Sequence, residues 1–261
     1  MNINFKKISL LVAAFTGAAM LTWAVGTHFK YSKPAKVTLL AVHKVKPPVY
    51  DTVLLNKFNS ELRSINHEHG LSTYSGSITI KDGADSSGNI QNMPYIVSVN
   101  GQNVYSKIGA MEVIRENGVS IQIDNDQRRV LISKQTQEAN NIMDGFAMLQ
   151  ALFKQEGYQL SIKPIGTEKE ISMINEKNIT CKELSVAYDT ATNKLTRLYT
   201  RLTDFDAPLD DSKDRVMDVR IDRLENSSNL KEYPRLETIV DQSGGIAKLT
   251  GHYTGYKLII L

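Results

Sequence analysis

Apolar side chains recur along this chain in two periods, and the changes of period divide it into elements. Leu54, Leu55, Phe58, Leu62 and Ile65 fall three or four residues apart, so an amphipathic helix is predicted after Asp51, capped by Asp51 or Thr52 and closed by Gly70. The period then drops to two. Tyr74, Gly76, Ile78 and Ile80 alternate with polar residues, and the stretches 95–99, 104–108, 111–115, 119–123 and 130–133 continue the pattern. Asn100-Gly101 and Asn117-Gly118 are two-residue hairpin turns, and Asp124-Asn125-Asp126 turns the chain again. The expected product is an antiparallel meander.

Helical spacing returns at Ile142, Phe146, Leu149, Leu152 and Phe153, ending at Gly157. After it the strand period resumes over 158–162, 171–174, 182–188, 194–203 and 216–224, with last strands expected at 236–240 and 256–260. No internal repeat stands out, and no Gly/Ser-rich break divides residues 51–261 into two domains. The predicted fold is α+β: one strongly curved antiparallel sheet, a half-barrel, packed with two amphipathic helices. Phe58, Leu62 and Ile65 of the first helix and Phe146, Leu149 and Phe153 of the second are expected to face its concave side. There they either fill the sheet or line a cavity for an apolar ligand.

The N-terminus carries the clearest single signal. No charged residue falls between Lys7 and Lys30, and the stretch 8–29 is rich in Leu, Val, Ala, Phe and Met. A helix of that length, at about 1.5 Å per residue, reaches roughly the 30 Å of a bilayer's hydrocarbon core. Two readings compete: an uncleaved anchor, and a signal peptide cut before Thr27 after the small residues Ala24 and Gly26. The full length of the stretch favours the anchor, with Leu10, Leu11, Phe15 and Leu21 in the apolar core and Trp23 at the far interface. Lysines on both flanks leave the orientation open, and the signal-like start favours export. Residues 30–50, with Lys33-Pro34 and Lys46-Pro47-Pro48 around a short apolar run at 37–42, read as a tether.

Composition narrows the functional classes. The chain has 261 residues, with 31 basic against 28 acidic and a net charge of +3. No run of Lys and Arg forms the basic face that a nucleic-acid partner requires. Cys181 is the single cysteine, which rules out an intramolecular disulfide and a thiolate metal cluster. Its place beside alternating residues points to inert strand packing. His67 and His69 are two apart and so diverge on a helix, whereas the helical zinc motif needs four, and His252 is isolated. The aspartates 204, 206, 210, 211 and 214 are interrupted by Ala207-Pro208-Leu209, so they read as a solvated loop and not a calcium loop. No phosphate loop, nucleophile elbow or paired-carboxylate scaffold appears, and neither a catalytic site, a cofactor nor a metal is expected.

The order of helix, meander, helix and closing meander resembles the periplasmic lipoprotein-carrier (LolA-like) half-barrel superfamily. The resemblance spans roughly residues 51–224, from the helix at Leu54 and the strand at Tyr74, through Val104-Tyr105-Ser106-Lys107-Ile108, to the strands at 158–164 and 182–202. It implies a curved sheet that encloses acyl chains or a partner segment. The sequence departs from the carriers' pattern at two points: Pro94 follows Met93 where they have an arginine, and the sole tryptophan is Trp23. The expectation is a non-enzymatic envelope protein held by a single span in the inner membrane, its domain in the periplasm, binding a lipid, an acyl chain or a protein partner. The alternatives are a structural subunit of an envelope or secretion assembly and, further off, a hydrolase with a scattered site.

Overall fold

The computed structural model describes residues 50–65, 70–134, 156–241 and 247–261. The expected anchor, residues 30–49 of the tether, His67-Glu68-His69 and residues 142–155 of the predicted second helix lie outside the described residues.

The first predicted helix forms as α1, Thr52–Ile65. Asp51 caps it, its carboxylate accepting from the backbone N–H groups of Val53 at 2.8 Å and Leu54 at 3.1 Å. Two orphan donors of the first turn are thereby satisfied. The strands follow as β1 (Leu71–Asp82), β2 (Ile90–Asn100), β3 (Asn103–Ile108), β4 (Met111–Glu116), β5 (Val119–Asp124) and β6 (Arg129–Lys134). The Asn117-Gly118 turn sits where predicted, both residues at positive φ, whereas the first hairpin turns one residue later, at Gly101-Gln102, because Asn100 still pairs with Asn103. A second run contains β7 (Gln159–Ile165), β8 (Glu168–Ile174), β9 (Cys181–Asp189), β10 (Leu195–Leu202) and β11 (Arg215–Glu225).

The two runs fuse into one open, twelve-stranded sheet in the order β14-β6-β5-β4-β3-β2-β1-β11-β10-β9-β8-β7, where β14 is Lys257–Ile260. The seam is β1 against β11, antiparallel over the length of both, with a bulge at Ser75/Gly76. At Gly76 a Cβ would lie 1.9 Å from the Arg220 carbonyl oxygen, so the close approach at the bulge requires glycine. The chain leaves β6 beside one edge of the sheet and re-enters as β7 at the other.

Two expectations change. The stretch 236–240 is not a strand but α2, Leu236–Ile239, one helical turn followed by the two-residue β12, Val240–Asp241, which pairs with β13, Lys248–Leu249. Tertiary contacts override the β-branched composition here. Glu116 pairs with Arg235 at 2.8 Å and accepts from the Leu236 N–H at 3.2 Å, placing a carboxylate on the helix start. Thr238 Oγ1 accepts from the Arg235 N–H at 3.0 Å. The sheet is also not wholly antiparallel, because β14 pairs parallel to β6. The reason lies in the preceding chain, which first crosses the sheet: Leu230, Tyr233, Leu236, Ile239, Leu249 and Tyr253 pack on Tyr105, Ile114, Ile121 and Ile132.

Candidate binding face

The register sorts the sheet into two faces with different chemistry. On the α1 face, Phe58 and Leu62 are buried against Ile171, Met173, Leu184, Val186, Leu195 and Ile221. Tyr158 lies in the same cluster, its hydroxyl donating to the Cys181 carbonyl while its own carbonyl accepts from Tyr50 Oη at 2.7 Å. Cys181 is buried there too. Burial, its largest influence, pushes the thiol up to about 12, so it stays protonated and unreactive at neutral pH.

Beyond α1, the same face continues as a buried cluster to which, among the described residues, strands alone contribute. Tyr74 and Ile78 of β1, Tyr95 and Val97 of β2, Ile108 of β3 and Val219 of β11 form it, with Leu198 and Leu224 shared between the two clusters. Tyr74 and Tyr95 meet edge to face at 6.3 Å, and Tyr95 Oη donates to the Arg220 carbonyl at 3.1 Å. Burial raises both phenols, so they remain neutral. The result is an apolar surface running across β8, β9, β10, β11, β1, β2 and β3. Among the described residues, α1 is the helix that packs on it.

The opposite face of β8 to β11 is charged and internally paired. Arg197 reaches Asp218 through two bonds, 2.7 and 2.8 Å, and Glu170 at 2.8 Å, while Lys163 holds Glu170 at 2.8 Å. The Asp218 hydrogen bond leads in raising the guanidinium's pKa above its ordinary value, against the opposing effect of burial. The Ser185 hydroxyl donates to Glu183 at 2.7 Å and shares a 2.8 Å hydrogen bond with the Ser172 hydroxyl.

A second network begins where a bulge between Arg201 and Leu202 leaves Lys182 out of the ladder. Cys181 stays with the α1 cluster, and the Lys182 ammonium instead meets Asp211 at 2.6 Å and Asp214 at 3.0 Å. Burial works against that charge, but the two aspartates outweigh it and hold the pKa above the usual lysine value. Arg201 closes the group on Asp214 at 3.3 Å and Glu176 at 2.5 Å. These partners satisfy one another, and nothing in the set presents an activated base or nucleophile.

The sequence-predicted cavity residues are distributed as follows. Phe58 and Leu62 come together on the sheet, and Ile65 ends α1. Phe146, Leu149 and Phe153 lie outside the described residues, as do Leu10, Leu11, Phe15, Leu21 and Trp23. His252 sits in a turn beside Tyr253 and Tyr256, ring centroids 5.4 and 6.0 Å away. Among the described residues no group of three His, Cys, Asp or Glu side chains is placed to hold a metal. Among the same residues no helix is long and apolar enough to cross a membrane. Sequence reasoning missed the Lys182 network, whose signal was a lysine inside a strand together with aspartates at 211 and 214. It also missed a groove of about 450 Å³ between α1 and the β9–β10 turn, lined by Glu61, Asn193, Lys194, Leu195, Leu224 and Glu225.

No protein-family model matches the chain. No curated protein matches it. Among solved structures it is similar to an uncharacterized conserved protein from Thermus thermophilus, at 8% identity and a TM-score of 0.37, over 80% of this chain and 98% of that one. It is similar to the MucA/MucB complex of Pseudomonas aeruginosa at 11% identity and TM-score 0.36, over 76% of this chain and 62% of that one. It is also similar to an outer membrane lipoprotein-sorting protein domain from Vibrio parahaemolyticus, at 10% identity and TM-score 0.25, over 68% and 95%. Likeness of this size carries nothing about what the chain binds.

Proposed function

We propose that this chain is a non-enzymatic, membrane-tethered protein of the cell envelope whose α1 face binds an apolar ligand, a lipid or lipoprotein acyl chain. One observation carries the reading: the buried apolar cluster of Tyr74, Ile78, Tyr95, Val97, Ile108 and Val219, to which, among the described residues, only strands contribute, continuous with the surface on which α1 packs. An extended apolar face of this kind is the usual lining of an acyl-chain site, with a few polar groups fixing orientation. The charged groups of the opposite face are committed to ion pairs, which favours binding over catalysis. The charge-free stretch 8–29 supports an inner-membrane anchor, with the domain on the periplasmic side.

N-phenylnaphthylamine, a dye that brightens in apolar sites, provides the test. The full chain in mild detergent should bind it saturably, release it to oleate or phosphatidylglycerol, and yield co-purifying lipid on organic extraction. Val97 is buried, so Val97→Trp crowds the strand cluster and should weaken dye binding, with circular dichroism and urea unfolding run alongside to separate that effect from loss of fold. A folded protein that neither binds the dye nor carries lipid would exclude the ligand reading. The alternative, a structural subunit of an envelope or secretion assembly, would then lead, and it draws on the exposed apolar side chains at one end of the sheet.

A further inference from the structure

The loop between β10 and β11, residues 203–214, displays apolar side chains to solvent on an ordered frame. Leu209 is 94% exposed and Phe205 50% exposed, and on the neighbouring β8–β9 turn Ile179 is 65% exposed. The two turns belong to one end of the sheet and are tied together. Thr203 donates its N–H to the Thr180 carbonyl at 3.0 Å and its hydroxyl to the Asn178 carbonyl at 2.7 Å. Single exposed apolar residues are ordinary, whereas three on adjacent, fixed turns form a patch.

The frame is stiff for reasons visible in its bonds. Asp204 accepts from the Asp206 N–H at 2.7 Å, and Asp210 accepts from the Ser212 N–H at 3.1 Å. The N–H of Asp210 donates to the Ala207 carbonyl at 3.0 Å, and that of Gly83 to the Asp214 carbonyl at 3.1 Å. Beneath the loop, Lys182 is 0% exposed and bonds both Asp211 and Asp214. Burying a lysine and an aspartate is expensive, and an apolar pair in the same place is often at least as stable. What the ion pair supplies is a fixed geometry for the loop above it.

Charge selects the occupant. Between Thr203 and Asp214 the chain carries five aspartates and one lysine. Asp211 and Asp214 are committed to Lys182, which leaves Asp204, Asp206 and Asp210 around the exposed Leu209. Such a rim opposes approach to an anionic bilayer surface and favours a partner bearing Lys or Arg. An apolar centre inside a polar rim, preorganised before contact, is also the usual anatomy of a protein interface. We propose that the 203–214 loop and the adjoining β8–β9 turn form a docking tip for another protein, with Leu209 as the apolar anchor and the aspartates pairing with basic residues of the partner. Phe205, Leu209 and Ile179 belong to neither apolar cluster of the α1 face, so the tip stands or falls separately from the ligand reading.

Peptides selected from a random phage-displayed library against the full chain in detergent provide the probe. The expected consensus joins a large apolar residue to Lys or Arg. Binding should fall about tenfold or more in Leu209→Asp, a solvent-exposed change that leaves the fold intact, and should weaken in Asp206→Lys and with added salt. No selected peptide, peptides without basic residues, or equal binding to Leu209→Asp would overturn the proposal. Leu209-dependent sedimentation with phosphatidylethanolamine–phosphatidylglycerol vesicles would assign the tip to the bilayer instead. Leu209-dependent self-association in analytical ultracentrifugation would assign it to a second copy of this chain.

Discussion

Replacing Lys182 with methionine isolates the buried network, because methionine keeps the length of the side chain and removes only its charge. In the native protein the ammonium is enclosed between Asp211, two-thirds exposed, and Asp214, which is buried. The substitution leaves Asp214 with a single cation, Arg201, at the longer distance of 3.3 Å. Breaking a buried pair by removing one partner costs about 3–5 kcal/mol, since an uncompensated charge remains inside. Arg201 offsets part of that, so a loss of about 2–4 kcal/mol is expected, or roughly 4–16 °C in Tm for a domain of this size. Urea unfolding should show a lower midpoint at an unchanged slope. The double variant Lys182→Met/Asp214→Leu removes both charges and should recover most of the loss, giving a coupling energy of about 1 kcal/mol or more. The pH dependence has a definite sign. Because the folded-state pKa of Lys182 lies above its ordinary value of 10.5, its contribution is complete below that pH and disappears as pH rises through the folded value. The stability gap between wild type and Lys182→Met should therefore be constant near neutrality and close at strongly alkaline pH. A single variant within about 0.5 kcal/mol of wild type, or a double variant no better than the single, would refute the assignment of Lys182 as the loop's buried tie.

Three further outcomes follow from the fold and the anchor. Phe58→Ala should cost about 3–5 kcal/mol if Phe58 is packed core, measured by urea unfolding; a much smaller loss accompanied by weaker dye binding would show that it lines a ligand cavity. Cys181 should resist Ellman's reagent at pH 8 until urea unfolds the chain, since its thiol is buried with a pKa near 12; rapid labelling of the native protein would contradict that. The full-length protein should stay in the membrane pellet through an alkaline carbonate wash, whereas a mature N-terminus at Thr27 would establish cleavage.

What the sequence disclosed, and what it withheld, divides along the range of the interactions involved. Period-two alternation is a local consequence of the pleat, so β1 to β11 were legible, as were the Asn117-Gly118 turn and the Asp51 cap. Position 236–240 misled because Leu-Glu-Thr-Ile-Val reads as a strand in isolation. Its helical turn is nucleated by Glu116, more than a hundred residues away, which no local pattern contains. The parallel pairing of β14 was hidden for the same reason, since nothing in Lys-Leu-Ile-Ile records which edge it will meet or in which direction. Strand pairing between the meanders, β1 against β11, likewise depends on the closure of the whole sheet.

The Lys182 network shows the same limit in its electrostatic form, and it explains why the acidic loop was read as solvated. In sequence, Asp211 and Asp214 stand among three other aspartates with nothing to tell them apart. The bulge at Arg201/Leu202 makes the distinction by displacing Lys182 from the ladder while Cys181 and Leu184 remain on the apolar side. One irregular residue in β9 thus makes two members of an acidic run, exposed Asp211 and buried Asp214, partners of a buried cation, and leaves Asp204, Asp206 and Asp210 at the surface. A solvated aspartate and a structural one differ by a few ångströms of strand geometry, a quantity that composition does not encode. A lysine between Cys181 and Glu183, in a strand whose apolar residues alternate with polar ones, is the trace it leaves. Such a lysine calls for an anionic partner before the structure is known, because an unpaired ammonium in that position would prevent the strand from folding there.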